Sequence, residues 1–152
     1  MRLFLVRHGE ASLPEADPAR GLNRRGRSEA ERVGKELARL GARPALIRCS
    51  LKTRAQQTAE IIAAALGSGL PPVSTSGLSP NDPVEPLAAE LQTAAEDQLL
   101  VSHLPFLPAL AGRLLAGEAP PGHVFGPAGV LILERDQDGV WSVAGQIDPA
   151  AL

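Results

Sequence analysis

Arg2-Leu3-Phe4-Leu5-Val6-Arg7-His8-Gly9-Glu10 opens the chain and carries most of its architectural information. Leu3 to Val6 is continuously apolar, the pattern of a strand buried on both faces rather than one with a wet side. Strands of that kind belong to sheets covered by helices above and below. An arginine and a histidine follow at once, where the strand must leave the sheet. In open α/β sheets ligands sit beyond the carboxyl ends of the strands, so position alone makes Arg7 and His8 candidate site residues.

The pattern recurs downstream. Asn23 can cap a helix whose apolar positions Ala30, Val33, Leu37 and Leu40 repeat at helical spacing, with Gly41 as its stop. Ala45 to Cys49 reads as a strand, with Ser50 as the cap of a helix from Leu51 to Leu66 that Gly67-Ser68-Gly69 closes. A weaker strand is expected around Pro72 to Ser74 and a helix over about Val84 to Ala95. Leu99-Leu100-Val101-Ser102 is another buried strand, followed by His103 and a helix that Pro105 opens at its first turn. Gly129 to Glu134 and Val140 to Ile147, parted by Asp136 to Gly139, read as a terminal hairpin. Alternating strands and helices predict one three-layer α/β domain over residues 1–152, its sheet mainly parallel with helices on both faces. Three strand ends then meet at one edge of the sheet: Arg7-His8, Ser50 to Arg54, and His103.

Composition narrows the chemistry. The chain has 152 residues, 44% apolar and 21% charged, values ordinary for a soluble globular protein with a real core. Three Phe, one Trp and no Tyr demand a mainly aliphatic interior. The single cysteine excludes an internal disulfide, the opening apolar run is too short for a signal peptide, and no stretch is long enough to span a membrane. A cytoplasmic protein without membrane or nucleic-acid partners is expected, as a monomer or weak dimer. Charge is uneven: residues 1–76 hold 13 basic and 7 acidic side chains, residues 77–152 hold 2 and 10. Thirteen of the fifteen cations are arginine, whose planar fork matches phosphate oxygens bidentately. A GC-rich coding bias also enriches arginine, so only placed arginines carry weight.

Those residues suit phosphoryl transfer. A neutral imidazole at His8 can attack phosphorus and form a phosphohistidine, splitting one hard displacement into two easier ones. Arg7 and Arg54 would lower its pKa and neutralise the equatorial oxygens, and His103 could donate a further hydrogen bond. Neither a metal nor another cofactor is called for, because the three histidines lack ligand spacing and no acidic cluster offers a magnesium site. His123, in a Pro/Gly-rich stretch, reads as an ordinary loop residue.

Four motifs resemble the histidine phosphatase superfamily, also called phosphoglycerate-mutase-like. Leu3-Phe4-Leu5-Val6-Arg7-His8-Gly9-Glu10 is similar to its strand plus Arg-His-Gly signature, and Leu22-Asn23-Arg24-Arg25-Gly26 to its helix-opening Leu-Thr-x-x-Gly. Cys49 to Ala59 resembles Ser-x-x-x-Arg-Ala-x-x-Thr-Ala, and Leu100-Val101-Ser102-His103 the strand ending in a second histidine. The ordered set covers residues 1 to about 115 and implies a phosphorylated His8 with Arg7, Arg54 and His103 holding the phosphoryl group.

The short length, Ala11 after Glu10, Arg20 before Leu22, Leu78-Ser79-Pro80 and His103-Leu104-Pro105 resemble the SixA-type phosphohistidine phosphatases. By that resemblance Arg20 is a further oxygen contact, with Gly9 and Leu104 beside the two histidines as additional substrate contacts. The phosphoglycerate-processing members carry Thr-x-x-Asn after the signature and a long insertion with a catalytic acid. This chain has neither, which leaves Asp82 and Glu10 as candidate acids.

An alkoxide leaving group needs such an acid, whereas an imidazole departs more readily. The implied substrate is therefore phosphohistidine on a signalling or phosphocarrier protein, the alternative being a small phosphorylated metabolite. A non-catalytic phosphohistidine-binding module is the rival of another class. Cysteine-based chemistry fails on spacing, since only four residues separate Cys49 from Arg54 where Cys-x5-Arg needs five. No P-loop glycine motif follows a strand.

Overall fold

The computed structural model describes residues 1–117 and 125–152; His123 lies outside them. In chain order the elements are β1 (Arg2–Arg7), α1 (Arg24–Arg39), β2 (Leu46–Cys49), α2 (Thr53–Leu66), β3 (Val73–Ser74), α3 (Glu85–Thr93), β4 (Gln98–Ser102), α4 (Phe106–Leu114), β5 (Val130–Arg135) and β6 (Trp141–Ile147). A single sheet runs β3-β2-β4-β1-β5-β6. Its first four strands are parallel, and the terminal hairpin β5–β6 joins antiparallel beside β1. The chain is thus a single α/β domain with a mixed sheet between two helical layers. No helix among the described residues is long and apolar enough to cross a membrane.

Alternation along each strand divides the core in two. Leu3 and Leu5 of β1 and Leu100 of β4 face α3 and α4, packing with Leu87, Leu91, Phe106 and Leu110. Phe4, Val6, Leu99 and Val101 face α1 and α2, packing with Val33, Leu37, Ala59 and Ile62. Period two in the strands and period 3.6 in the helices meet here, each buried side chain contributing about 2 kcal/mol of apolar transfer. The core is aliphatic in the main, yet Phe4, Phe106, Phe125 and Trp141 are all buried in it as well.

Local signals account for the element ends. Asn23 caps α1, its side-chain oxygen accepting from the Gly26 amide at 2.8 Å, and Gly67 closes α2 in the left-handed conformation. Two expectations are corrected. Ser50 does not cap α2, which begins at Thr53 after Lys52 with no side-chain cap bond. Pro105 stands at the N-cap of α4, one place before the first turn it was expected to open.

Register positions the site. Arg7 pairs with Ser102 across β1–β4 and Cys49 with Val101 across β2–β4. The next residues, His8, His103 and Ser50, therefore leave three adjacent strands together. The start of α1 presses against the turn after β1: a Cβ on Gly26 would lie 2.2 Å from the Glu10 carbonyl oxygen, and one on Gly9 would lie 2.9 Å from the Gly26 oxygen. Only glycine allows that approach.

Candidate active site

His8 is held by its backbone on both sides, its amide donating to the Ser102 carbonyl at 3.0 Å and its carbonyl accepting from the Ala128 amide at 3.2 Å. Its ring nitrogen Nδ1 lies 2.8 Å from the Gly9 carbonyl oxygen. A carbonyl only accepts, so the proton sits on Nδ1 and the lone pair on Nε2. The imidazole is pushed down from 6.5 to about 4 by burial first, against the Gly9 carbonyl that favours the charged form, and then by Arg54, Arg7 and Arg20. Charge repulsion by Arg7 and Arg54 acts in the expected direction, but burial is the larger cause.

Three guanidiniums converge on this ring. Arg7 follows β1's apolar run, donates from Nη1 to the Phe125 carbonyl at 2.9 Å, and keeps its Nε buried with no partner among the described residues. Arg54 lies in the first turn of α2, its pKa lowered by burial and by the like charge of Arg20. Arg20 comes from the loop between β1 and α1 in a left-handed conformation (φ 52°), which costs a non-glycine residue about 1 kcal/mol or more. Asp17 organises that loop, accepting from the Gly21 amide at 2.8 Å and the Ala19 amide at 3.1 Å, while Arg20 Nε donates to the Ser12 carbonyl at 3.2 Å. Among the described residues no ion pair engages Arg7, Arg20 or Arg54. Three cations with no ion pair among the described residues, beside a neutral imidazole, fit an anion with several oxygens.

His103 is buried at 2% exposure, its ring centroid 4.9 Å from that of His8. Its pKa falls to about 3 through burial, then through His8, Arg54, Lys52 and Arg7. Nε2 meets Ser50 Oγ at 2.6 Å, and Nδ1 is buried with no partner among the described residues. Thr58 ties the two arms of the site together: its hydroxyl accepts from the Gly9 amide at 3.0 Å and donates to the Arg54 carbonyl at 2.8 Å. Ser50 and Thr58 were visible in the sequence only as a supposed cap and a motif position. A hydroxyl in the sequence gives no local sign of its distant partner.

The remaining candidates sit apart. Glu10 faces Arg25 at 3.6 Å, and its side chain is half exposed. Asp82 accepts from the Ser79 amide at 2.9 Å and lines a cleft with Arg48, Pro86, Leu87 and Glu90, a cleft that neither histidine lines. Leu104, next to His103, is exposed, and Gly9 supplies the carbonyl on His8. A roomier cleft of about 430 Å³ opens at the opposite end of β1, lined by Arg2, Phe4, Glu36 and Asp148, and contains none of these residues. No group of three His, Cys, Asp or Glu suited to a metal ion occurs among the described residues.

The sequence pattern of the histidine phosphatase superfamily (branch 1) matches residues 3–80, just over half the chain. The chain belongs to the histidine phosphatase superfamily. Within it, phosphohistidine phosphatase SixA of Escherichia coli K12 is 28% identical over 157 residues, covering 100% of this chain and 96% of that protein. A structure of the protein histidine phosphatase SixA complexed with tungstate superposes with a TM-score of 0.88 at 27% identity, covering 99% of both chains. A phosphoserine phosphatase from Entamoeba histolytica, in complex with 3-phosphoglyceric acid, matches at a TM-score of 0.73 and 17% identity over 97% of this chain and 96% of that one, a likeness of fold alone.

Proposed function

We propose that this superfamily member is a phosphatase that carries the phosphoryl group on His8 Nε2 and takes it from phosphohistidine displayed on another protein. One observation carries the reading: the Gly9 carbonyl holds the lone pair on Nε2, in the midst of Arg7, Arg20 and Arg54, three cations with no carboxylate partner among the described residues. The likeness to SixA, named a phosphohistidine phosphatase, supports the substrate.

In the first step Nε2 attacks phosphorus, the new N–P bond forms, and the substrate's N–P bond breaks with its electron pair leaving on the departing imidazole. In the second, water attacks phosphorus, the bond to His8 breaks, the pair returns to Nε2, and inorganic phosphate and a proton are released. Arg7, Arg20, Arg54 and His103 stabilise the charge on the equatorial oxygens throughout, which is the main work a protein does in phosphoryl transfer. An imidazole leaving group accepts a proton on its own nitrogen and so asks less of a general acid than an alkoxide does. That suits a site where Glu10 is turned to Arg25 and Asp82 to the Ser79 amide.

The rim favours a protein substrate over a free metabolite. Leu13, Leu51 and Leu104 are exposed at 67%, 56% and 39%, one on each segment that supplies the site, with Lys52 beside them. Such an apolar and basic collar suits a partner that surrounds its phosphohistidine with apolar and acidic side chains. We place the reaction in the cytoplasm, where the free, buried Cys49 thiol is at home.

The test offers a phosphohistidine-bearing protein, phosphoramidate and a panel of phosphomonoesters, with rapid quenching to trap acid-labile, base-stable phosphate. Label on His8, its loss in His8→Asn, and preference for the phosphoprotein are expected. Leu13→Asp should slow the phosphoprotein and leave phosphoramidate unchanged. Turnover without label on His8 would remove the nucleophile, and a preference for phosphomonoesters would remove the substrate.

A further inference from the structure

We propose that Ser50 is a positioning residue that fixes the tautomer of His103, making its Nδ1–H a donor to the transferring phosphoryl group. The inference rests on the phosphatase reading above and gives a role at that site to a residue that the sequence marks as a helix cap and a motif position, with no partner named.

Geometry brings the pair together. Ser50 leaves β2 where His103 leaves β4, with the Ser50 amide donating to the Val101 carbonyl at 3.1 Å. The Ser50 side chain is fully buried, and its Oγ lies 2.6 Å from His103 Nε2. Lys52 supplies the second contact, its amide pointing at Ser50 Oγ from 3.3 Å.

Proton placement follows from counting donors. An amide can only donate, so Oγ accepts from Lys52. If Nε2 also carried a proton, Oγ would accept twice and its own hydrogen would be buried with no acceptor among the described residues. That arrangement is costly, and buried polar hydrogens are seldom left unused. When Oγ–H donates to Nε2 instead, the hydroxyl is satisfied in both roles. Burial first, and then the nearby His8, Arg54, Lys52 and Arg7, keep the His103 ring neutral, so it has a single proton to place. That proton goes to Nδ1.

Nδ1 is the ring nitrogen that has no partner among the described residues. As a bare lone pair it would repel a phosphoryl oxygen; as N–H it bonds one. Both imidazoles of the pocket then share one tautomer for opposite purposes. The Gly9 carbonyl frees Nε2 of His8 to attack, and the Ser50 hydroxyl makes Nδ1 of His103 donate. The two rings are 4.9 Å apart, so a phosphoryl group on His8 comes within reach of His103.

The experiment reads the tautomer directly, by nitrogen-15 NMR of histidine-labelled protein above neutral pH and without substrate. Wild type should show His103 protonated on Nδ1. Ser50→Ala should move that proton wholly or partly to Nε2 while leaving His8 unchanged. In kinetics Ser50→Ala should lower kcat on phosphoramidate by about 10- to 100-fold, at or below the cost of losing one oxyanion donor. Ser50→Thr, which keeps the hydroxyl, should restore both the tautomer and the rate. Combined with His103→Ala, Ser50→Ala should cost nothing further, because both remove one interaction.

An Nε2-protonated His103 in wild type would overturn the proposal without needing any variant to fold. Fully additive losses in the double variant would overturn it too. Either result leaves phosphate trapping on His8 intact, whereas failure to trap phosphate on His8 in wild type overturns the phosphatase reading and leaves the NMR result standing.

Discussion

Acidification from about pH 7.5 to about pH 5 should destabilise this protein. His8 and His103 are held neutral in the native state, at about 4 and about 3, against an ordinary 6.5. Below pH 6.5 the unfolded chain binds protons that the native pocket refuses, so stability rises with pH through this window and falls on acidification. The cost is absent above 6.5, grows as pH drops, and levels off only near the native values. Each refused proton costs about 1.4 kcal/mol per pH unit, which gives about 2 kcal/mol per ring at pH 5. His8 is partly exposed, and solvent screening trims its share, so about 3 kcal/mol is expected for the pair. Equilibrium urea unfolding measures it, best in a His123→Asn background that removes the third imidazole. With a slope of about 2 kcal/mol per molar, the midpoint should fall by roughly 1.5 M. His103→Asn should cut the pH dependence by about two-thirds. A midpoint unchanged from pH 7.5 to pH 5 would mean that both rings protonate freely in the native pocket, and the case for a neutral nucleophile would fail.

Three further outcomes are expected. Arg54→Gln should lower kcat by about 10²- to 10³-fold by removing an oxyanion donor, and should raise the NMR titration midpoint of His8, whose pKa Arg54 helps depress; an unmoved midpoint would separate Arg54 from His8. Gly26→Ala places a Cβ 2.2 Å from the Glu10 carbonyl oxygen, so about 1–3 kcal/mol of stability and much of the activity should be lost, measured by urea unfolding and phosphoramidate turnover. Cys49→Ser should cost about 1 kcal/mol in a buried apolar setting yet leave turnover nearly intact, and abolished turnover would revive a thiol mechanism.

By itself the sequence determined the order of strands and helices and the edge of the sheet where Arg7, His8, Arg54 and His103 gather. Continuous apolar runs at Leu3–Val6 and Leu99–Val101 need cover on both faces, and the polar residue after each run must emerge at the sheet edge. These are local rules, so Arg7, His8, Arg54 and His103 were legible as residues that follow strands or open a helix. Tertiary structure alone decided what each polar atom does. Burial, which no local pattern reports, outweighs the arginines in depressing His8. Arg20 reaches the ring only because Asp17 holds its loop in a left-handed turn. Glu10 and Asp82, acids by residue type, turn to Arg25 and to the Ser79 amide. Ser50 shows the division most plainly. Sequence offers its hydroxyl a helix amide nearby, and the β2–β4 register offers an imidazole 53 positions away. The buried imidazole has no water to turn to and wins the hydroxyl's only hydrogen.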